Sequence, residues 1–253
     1  MCVLILSPEG STRAGKSLSF FPVFPSTRHS AVLGARSADP QERERAWSAL
    51  VAAYWKPAYQ HLRVKWKAGP EQAEDAVQAF FERAVQKDFF SDYAPERARF
   101  RTFFKTCLDR HQANEAKAAQ RIKRGGPAGA LDFKQAELEL EKAGAAAWEA
   151  PEEVFDREWK RQLFTRGVQA LEREARAADK AAAFEAFRRY DLSEPPRPKY
   201  DEVARELGVP VTTVTNHLSW ARQRLRALVL EELAAVTATE RELREEAAAA
   251  GVG

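Results

Sequence analysis

The chain is predicted to be all-α, with two helical domains joined by a linker. Three observations predict this. Apolar residues recur at spacings of three and four through most of the chain, and strand-like alternation is scarce. Segments between Gly- and Pro-containing breaks are rich in the strong helix formers Ala, Glu and Arg. With 45% hydrophobic and 30% charged residues, the 253-residue chain has a globular composition and room for one large or two small cores.

Residues 1–39 carry Ser, Pro and Arg without a period and read as a poorly structured tail. A helical pattern starts at Pro40, with Trp47, Leu50, Val51 and Tyr54 on one side. Gly69-Pro70 breaks it, and Glu71, Glu74 and Asp75 suit the positive start of a new helix. That helix gathers Ala73, Ala76, Val77, Phe80, Phe81, Ala84 and Val85 on one face and Glu74, Asp75, Gln78 and Glu82 on the other. After a loop from Ser91 to Ala98, Phe100, Phe103, Phe104, Cys107 and Leu108 begin a third helix. Gly125, Gly126, Pro127 and Gly129 end it, so 40–124 is read as the first domain and 125–150 as a linker.

The second domain is placed at 151–236. Phe155, Trp159 and Leu163 recur every four residues after Pro151, followed by Leu171, Phe184 and Phe187. Pro195, Pro196 and Pro198 precede a last pair of helices, and 237–253 forms an Ala- and Glu-rich tail that either extends the last helix or frays.

Several function classes are excluded at this level. Cys2 and Cys107 make no disulfide framework, and a reduced, cytoplasmic setting suits them, with Cys107 on a buried helical face. No apolar run approaches the roughly 20 residues of a membrane span, and Val3–Leu6 is too short for a secretory signal core. His and Cys are scattered, so no metal site is expected, and neither a cofactor nor an enzymatic activity is assigned. Gly10 to Ser17 has phosphate-loop spacing, but two prolines follow it where the helix should be, and no sheet is visible.

The final pair of helices carries the clearest chemistry. Val203, Ala204 and Leu207 face inward from the first, Gly208 supplies the tight turn, Val209 plugs the corner, and the second starts near Pro210. Val214, Leu218, Ala221, Leu225 and Leu228 form its inward stripe. At 100 degrees per residue, Thr212, Thr215, Asn216, Ser219, Gln223 and Arg226 point the other way. Short hydrogen-bonding side chains followed by a long basic one are what base edges and flanking phosphates require of an inserted helix. Between Pro210 and Leu230 there are three Arg residues and no acid, although the whole chain has a formal charge of only +3.

The first domain offers two further faces. From Pro95 to Arg124 there are nine Lys and Arg residues against three acids, and Arg110, Asn114, Lys117, Arg121 and Arg124 share one helical stripe that can track a phosphate backbone. The acidic helix before it, with Glu74, Asp75, Gln78 and Glu82, suits a basic protein surface.

On these residues the chain resembles the extracytoplasmic-function group of the sigma-70 family of bacterial RNA polymerase subunits. AEDAVQAFFERAV, from Ala73 to Val85, is similar to the polymerase-binding helix of sigma region two. FRTFFKTCLDRHQANEAKAAQR, from Phe100 to Arg121, resembles the following helix, which handles the melted −10 element. DEVARELGVPVTTVTNHLSWARQRLR, from Asp201 to Arg226, resembles the region-four helix-turn-helix that reads the −35 element. The resemblance implies that Asp75 and Gln78, with Glu74 and Glu82 beside them, contact core polymerase. It also implies that Arg110, Asn114, Lys117 and Arg121 lie on the DNA side of the first domain, and that Tyr93 is the aromatic of a loop gripping a flipped base. In the last domain it assigns Thr212, Thr215, Asn216 and Ser219 to base reading and Arg222 and Arg226 to phosphates. Pro210 stands where many relatives have a capping Ser, and Glu115 interrupts the basic segment. The partners implied are core RNA polymerase, promoter DNA and an inhibitory anti-sigma protein. The alternatives are a stand-alone helix-turn-helix regulator and a helical interaction protein that binds no DNA.

Overall fold

The computed structural model describes residues 30–124 and 151–252, with side chains throughout those ranges except at positions 91, 118–124, 151 and 152. The described residues are helical with no strand: α1 (Ala31–Gly34), α2 (Pro40–Lys65), α3 (Pro70–Gln86), a 3-10 turn (Phe89–Asp92), α4 (Phe100–Arg124), α5 (Pro151–Ala177), α6 (Ala181–Tyr190), α7 (Tyr200–Leu207), α8 (Val211–Ala235) and α9 (Glu240–Ala250). None of these helices is long and apolar enough to cross a membrane. The phosphate-loop spacing at Gly10–Ser17 and the linker 125–150 lie outside the described residues.

The residues form two compact units, Ser30–Leu163 with Val236–Glu242, and Phe164–Ala235 with Leu243–Gly253. In the first, Asp39 caps α2 by accepting from the Gln41 N–H, and Pro40 occupies the first turn, where a missing N–H costs nothing. Gln72 accepts from the Gly69 N–H at 3.2 Å at the start of α3. The core is aromatic. Phe104 lies within 4.6 Å of Tyr54, 5.2 Å of Phe80 and 5.8 Å of Phe81 between ring centroids, while Trp47 stacks on Phe90 at 4.8 Å. Offset and edge-on pairs of this kind add to the area each ring buries.

Two boundaries differ from the sequence expectation. Helical structure is present ahead of Pro40: Ser30 caps α1, Ala31 and Val32 are buried, and Arg36 donates to the carbonyls of Phe90 and Tyr93. One guanidinium nitrogen, Nη2, ties this short stretch to a turn more than fifty residues later, a partner invisible to local periodicity. The start of α5 also belongs to the first unit rather than opening the second. Phe155 packs on Tyr54 and Phe104, Arg101 lies 4.4 Å from the Trp159 ring, and Lys105 donates to Asp156 at 3.1 Å. The linker sequence suggested a domain border at Pro151, but the boundary between the units falls inside α5, between Leu163 and Phe164.

In the second unit, α8 buries Val214, Leu218, Ala221, Leu225, Leu228, Val229 and Leu233, a stripe that includes all five residues expected to face inward. It packs against α6 and α7. The segment after Val236 is helical as α9, and Leu243, Ala247 and Val252 are buried in this unit.

Candidate nucleic-acid interface

The α7–α8 corner is built by backbone geometry. Lys199 N–H donates to Glu202 Oε2 at 2.7 Å and starts α7. Gly208 ends it at φ 66, ψ 31, a left-handed conformation that costs an L side chain strain. No atom lies within 4 Å of a Cβ built there, so the backbone angle, not space, demands glycine. Val209 N–H reaches back to the Ala204 carbonyl at 3.0 Å, and the Pro210 carbonyl accepts from Thr213 and Val214 to begin α8. With Pro210 in place of a capping side chain, that carbonyl carries the helix start.

Thr212, Thr215, Asn216, Ser219, Gln223 and Arg226 are all exposed, as is Val211 at the head of the helix. His217 and Trp220 are half-buried. The Thr215 hydroxyl donates to the Val211 carbonyl at 3.1 Å, so toward a ligand it offers an acceptor and a methyl group. Asn216 is exposed, and a side-chain amide, with one acceptor and one NH2 donor, is the pairing set that reads adenine.

The three arginines of α8 are held within the protein. Arg222 pairs at two points with Asp191, Nε to Oδ2 at 2.9 Å and Nη2 to Oδ1 at 3.0 Å. Arg224 bonds Glu174 at 2.5 Å and Glu231 at 3.4 Å. Arg226 donates its Nε to the Val252 carbonyl at 2.9 Å while the residue stays exposed. Arg222 was expected to reach phosphate; its fork instead ties α8 to the end of α6. Asp191, just past a helix with two arginines in its last turn, was not singled out because its partner lies 31 residues away.

In the first unit, Glu74, Asp75, Gln78 and Glu82 form an exposed face on α3, with Gln78 Nε2 donating to Glu82 at 2.9 Å. On α4, Arg110, Asn114 and Lys117 are exposed. Arg121 and Arg124 lie outside the residues whose side chains are described. Glu115, the acid within the basic stripe, pairs with Arg83 of α3 at 2.7 Å and so neutralises a charge between helices. His111 is buried beside Phe80. Burial, and then the positive charge of Arg83, hold its imidazole below the usual value, while Glu115 opposes them. Cys107 is half-buried and unpaired. Its thiol is pushed up to about 11 by burial, against the pull of Arg110 and with a smaller push from Asp92, so it stays protonated at neutral pH.

Tyr93 departs most from its expected role. It is 4% exposed, with its ring 5.3 Å from both Phe100 and Phe103. Its hydroxyl donates to Glu242 Oε2 at 3.1 Å. Burial, reinforced by the neighbouring carboxylate, moves the phenol well above its ordinary value. In this arrangement the ring is core, not a solvent-facing base grip. Glu242 is the residue that sequence reading passed over, because it sits in an Ala- and Glu-rich tail with nothing local to mark it.

No family model, curated protein or solved structure matches the chain.

Proposed function

We propose that the chain is a sigma-like transcription initiation factor that binds bacterial core RNA polymerase, recognises promoter DNA and stabilises its opening. The observation that carries this reading is the row of Thr212, Thr215, Asn216 and Ser219, exposed on α8 directly behind a glycine corner and opposite a continuous buried stripe. A helix entering the major groove needs that division of chemistry. The acidic face of α3 offers Asp75 and Gln78 to a basic protein surface, and Arg110, Asn114 and Lys117 on α4 offer donors to a DNA strand. On this reading the protein supplies no catalytic residue and holds no cofactor; the polymerase performs phosphoryl transfer in the cytoplasm. An inhibitory anti-sigma protein would act by covering one of these faces.

Run-off transcription with purified bacterial core polymerase and genomic promoter fragments tests the proposal. Transcripts that start at defined sites only when the protein is added are the expected result. Absence of initiation, together with failure to co-elute with core enzyme, overturns it. Duplex binding that survives under those conditions marks a stand-alone DNA-binding regulator instead.

A further inference from the structure

We propose that residues 236–242 are a removable plug on the 89–100 loop, and that they compete with single-stranded DNA for access to Tyr93 and the rings beside it. This rests on the reading above, in which that loop meets unpaired bases. Glu242 is 3% exposed although it carries a carboxylate. Three donors hold it: the Tyr93 hydroxyl at 3.1 Å, the Phe100 N–H at 2.5 Å and the Ala238 N–H within its own segment at 2.8 Å. Phe100 is the first residue of α4, so the acid sits at the positive end of a 25-residue helix. Next to it, Arg241 donates to the Pro95 carbonyl at 2.8 Å, and Val236 and Thr237 are buried with the segment.

The consequence is steric and electrostatic. With Glu242 seated, the edge of Tyr93 is closed, and a phosphate strand brought to the loop meets a carboxylate in a poorly solvated place. Apart from the buried Val236, the contact holds through polar groups on one short segment, so it can be exchanged for another ligand without unfolding the aromatic core beneath. Affinity for a strand is then reduced by the fraction of molecules in which the plug is seated. Docking on polymerase would release it, and the free protein would not take up melted DNA on its own.

Binding of a fluorescein-labelled single-stranded oligodeoxynucleotide to the full chain reads the competition. E242A is expected to bind on the order of tenfold more tightly than the wild type. R241A, which loses the Pro95 contact, should also bind more tightly, a direction opposite to that expected from removing a positive charge. E240A, which removes an exposed acid two positions away, is the comparison for loss of negative charge and should stay nearer the wild-type value than E242A does. Circular dichroism melting checks that each variant folds, and R241A decides if E242A does not. Wild-type affinity in both E242A and R241A overturns the plug, as does an equal rise in E242A and E240A. Run-off transcription separates the two ideas. If the wild type initiates while E242A and R241A bind the oligonucleotide no better than it does, the plug alone is wrong. If neither initiates, the sigma reading fails whatever the binding shows.

Discussion

Arg222 and Asp191 meet in a two-point ion pair, 2.9 Å and 3.0 Å, that joins the middle of α8 to the end of α6. The Asp191 side chain is 6% exposed and that of Arg222 35%, so the carboxylate depends on its partner far more than the guanidinium does. The arginine whose position on a recognition helix suggests phosphate contact is therefore a strut of the fold.

R222A should destabilise the protein by about 2 kcal/mol, because it strands a buried carboxylate. R222K keeps the charge, loses the fork and should recover only part of the loss. Urea unfolding of the three proteins measures this. An unchanged midpoint in R222A combined with weaker DNA binding would return Arg222 to the phosphate-contacting role.

Gly167 of α5 lies under α8, and a Cβ there would sit 2.7 Å from Val229 Cγ2 and 3.2 Å from Leu225 Cδ1. G167A should therefore cost on the order of 1–3 kcal/mol by overpacking, despite alanine's better helix propensity. Adding V229A removes the nearer methyl and should recover stability relative to G167A. Thermal melts of the single and double variants check the compensation; strictly additive losses would show that the contact relaxes by itself.

Asp109 links α4 to the end of α2, accepting from His61 and Lys65 at 2.9 Å each and from the Trp66 indole at 3.0 Å. Burial opposes ionisation of its carboxyl, but these donors outweigh it and hold the group well below the usual carboxylate range. A folded-state value below the unfolded one, about 4, gives stability that is complete above the unfolded value and is lost as pH falls toward the folded one. The unfolding free energy of the wild type should thus drop more than that of D109N between about pH 6 and about pH 3. Urea titrations at both pH values test it, and parallel losses in the two proteins would remove Asp109 as the cause.

Asn216 should set sequence preference and Arg226 affinity. N216A is expected to relax the choice at one base position, a discrimination of about 1–3 kcal/mol, in selection from randomised duplexes. R226A should weaken all sequences alike and lower the salt slope by about one. Because Arg226 also donates to the Val252 carbonyl, melting temperatures accompany the binding data. A changed preference in R226A with none in N216A reverses the roles.

Local pattern determined much of this protein. The all-α class, the helix starts at Pro40, Pro70, Phe100 and Pro151, the glycine corner and the inward stripe of α8 follow from period and turn chemistry, which act between residues a few positions apart. The exposed row of Thr212, Thr215, Asn216 and Ser219 was legible for the same reason: a helix whose apolar side is known has a known open side. Tertiary structure alone decided the pairings over long separations. Arg36 reaches the Phe90 and Tyr93 carbonyls, Asp191 captures Arg222, and Glu242 reaches Tyr93 across 149 positions of chain. Nothing in a charged residue's neighbourhood tells whether its partner will be solvent, a ligand or a distant backbone group. That choice is made only when packing removes water from around it and leaves one donor or acceptor within reach.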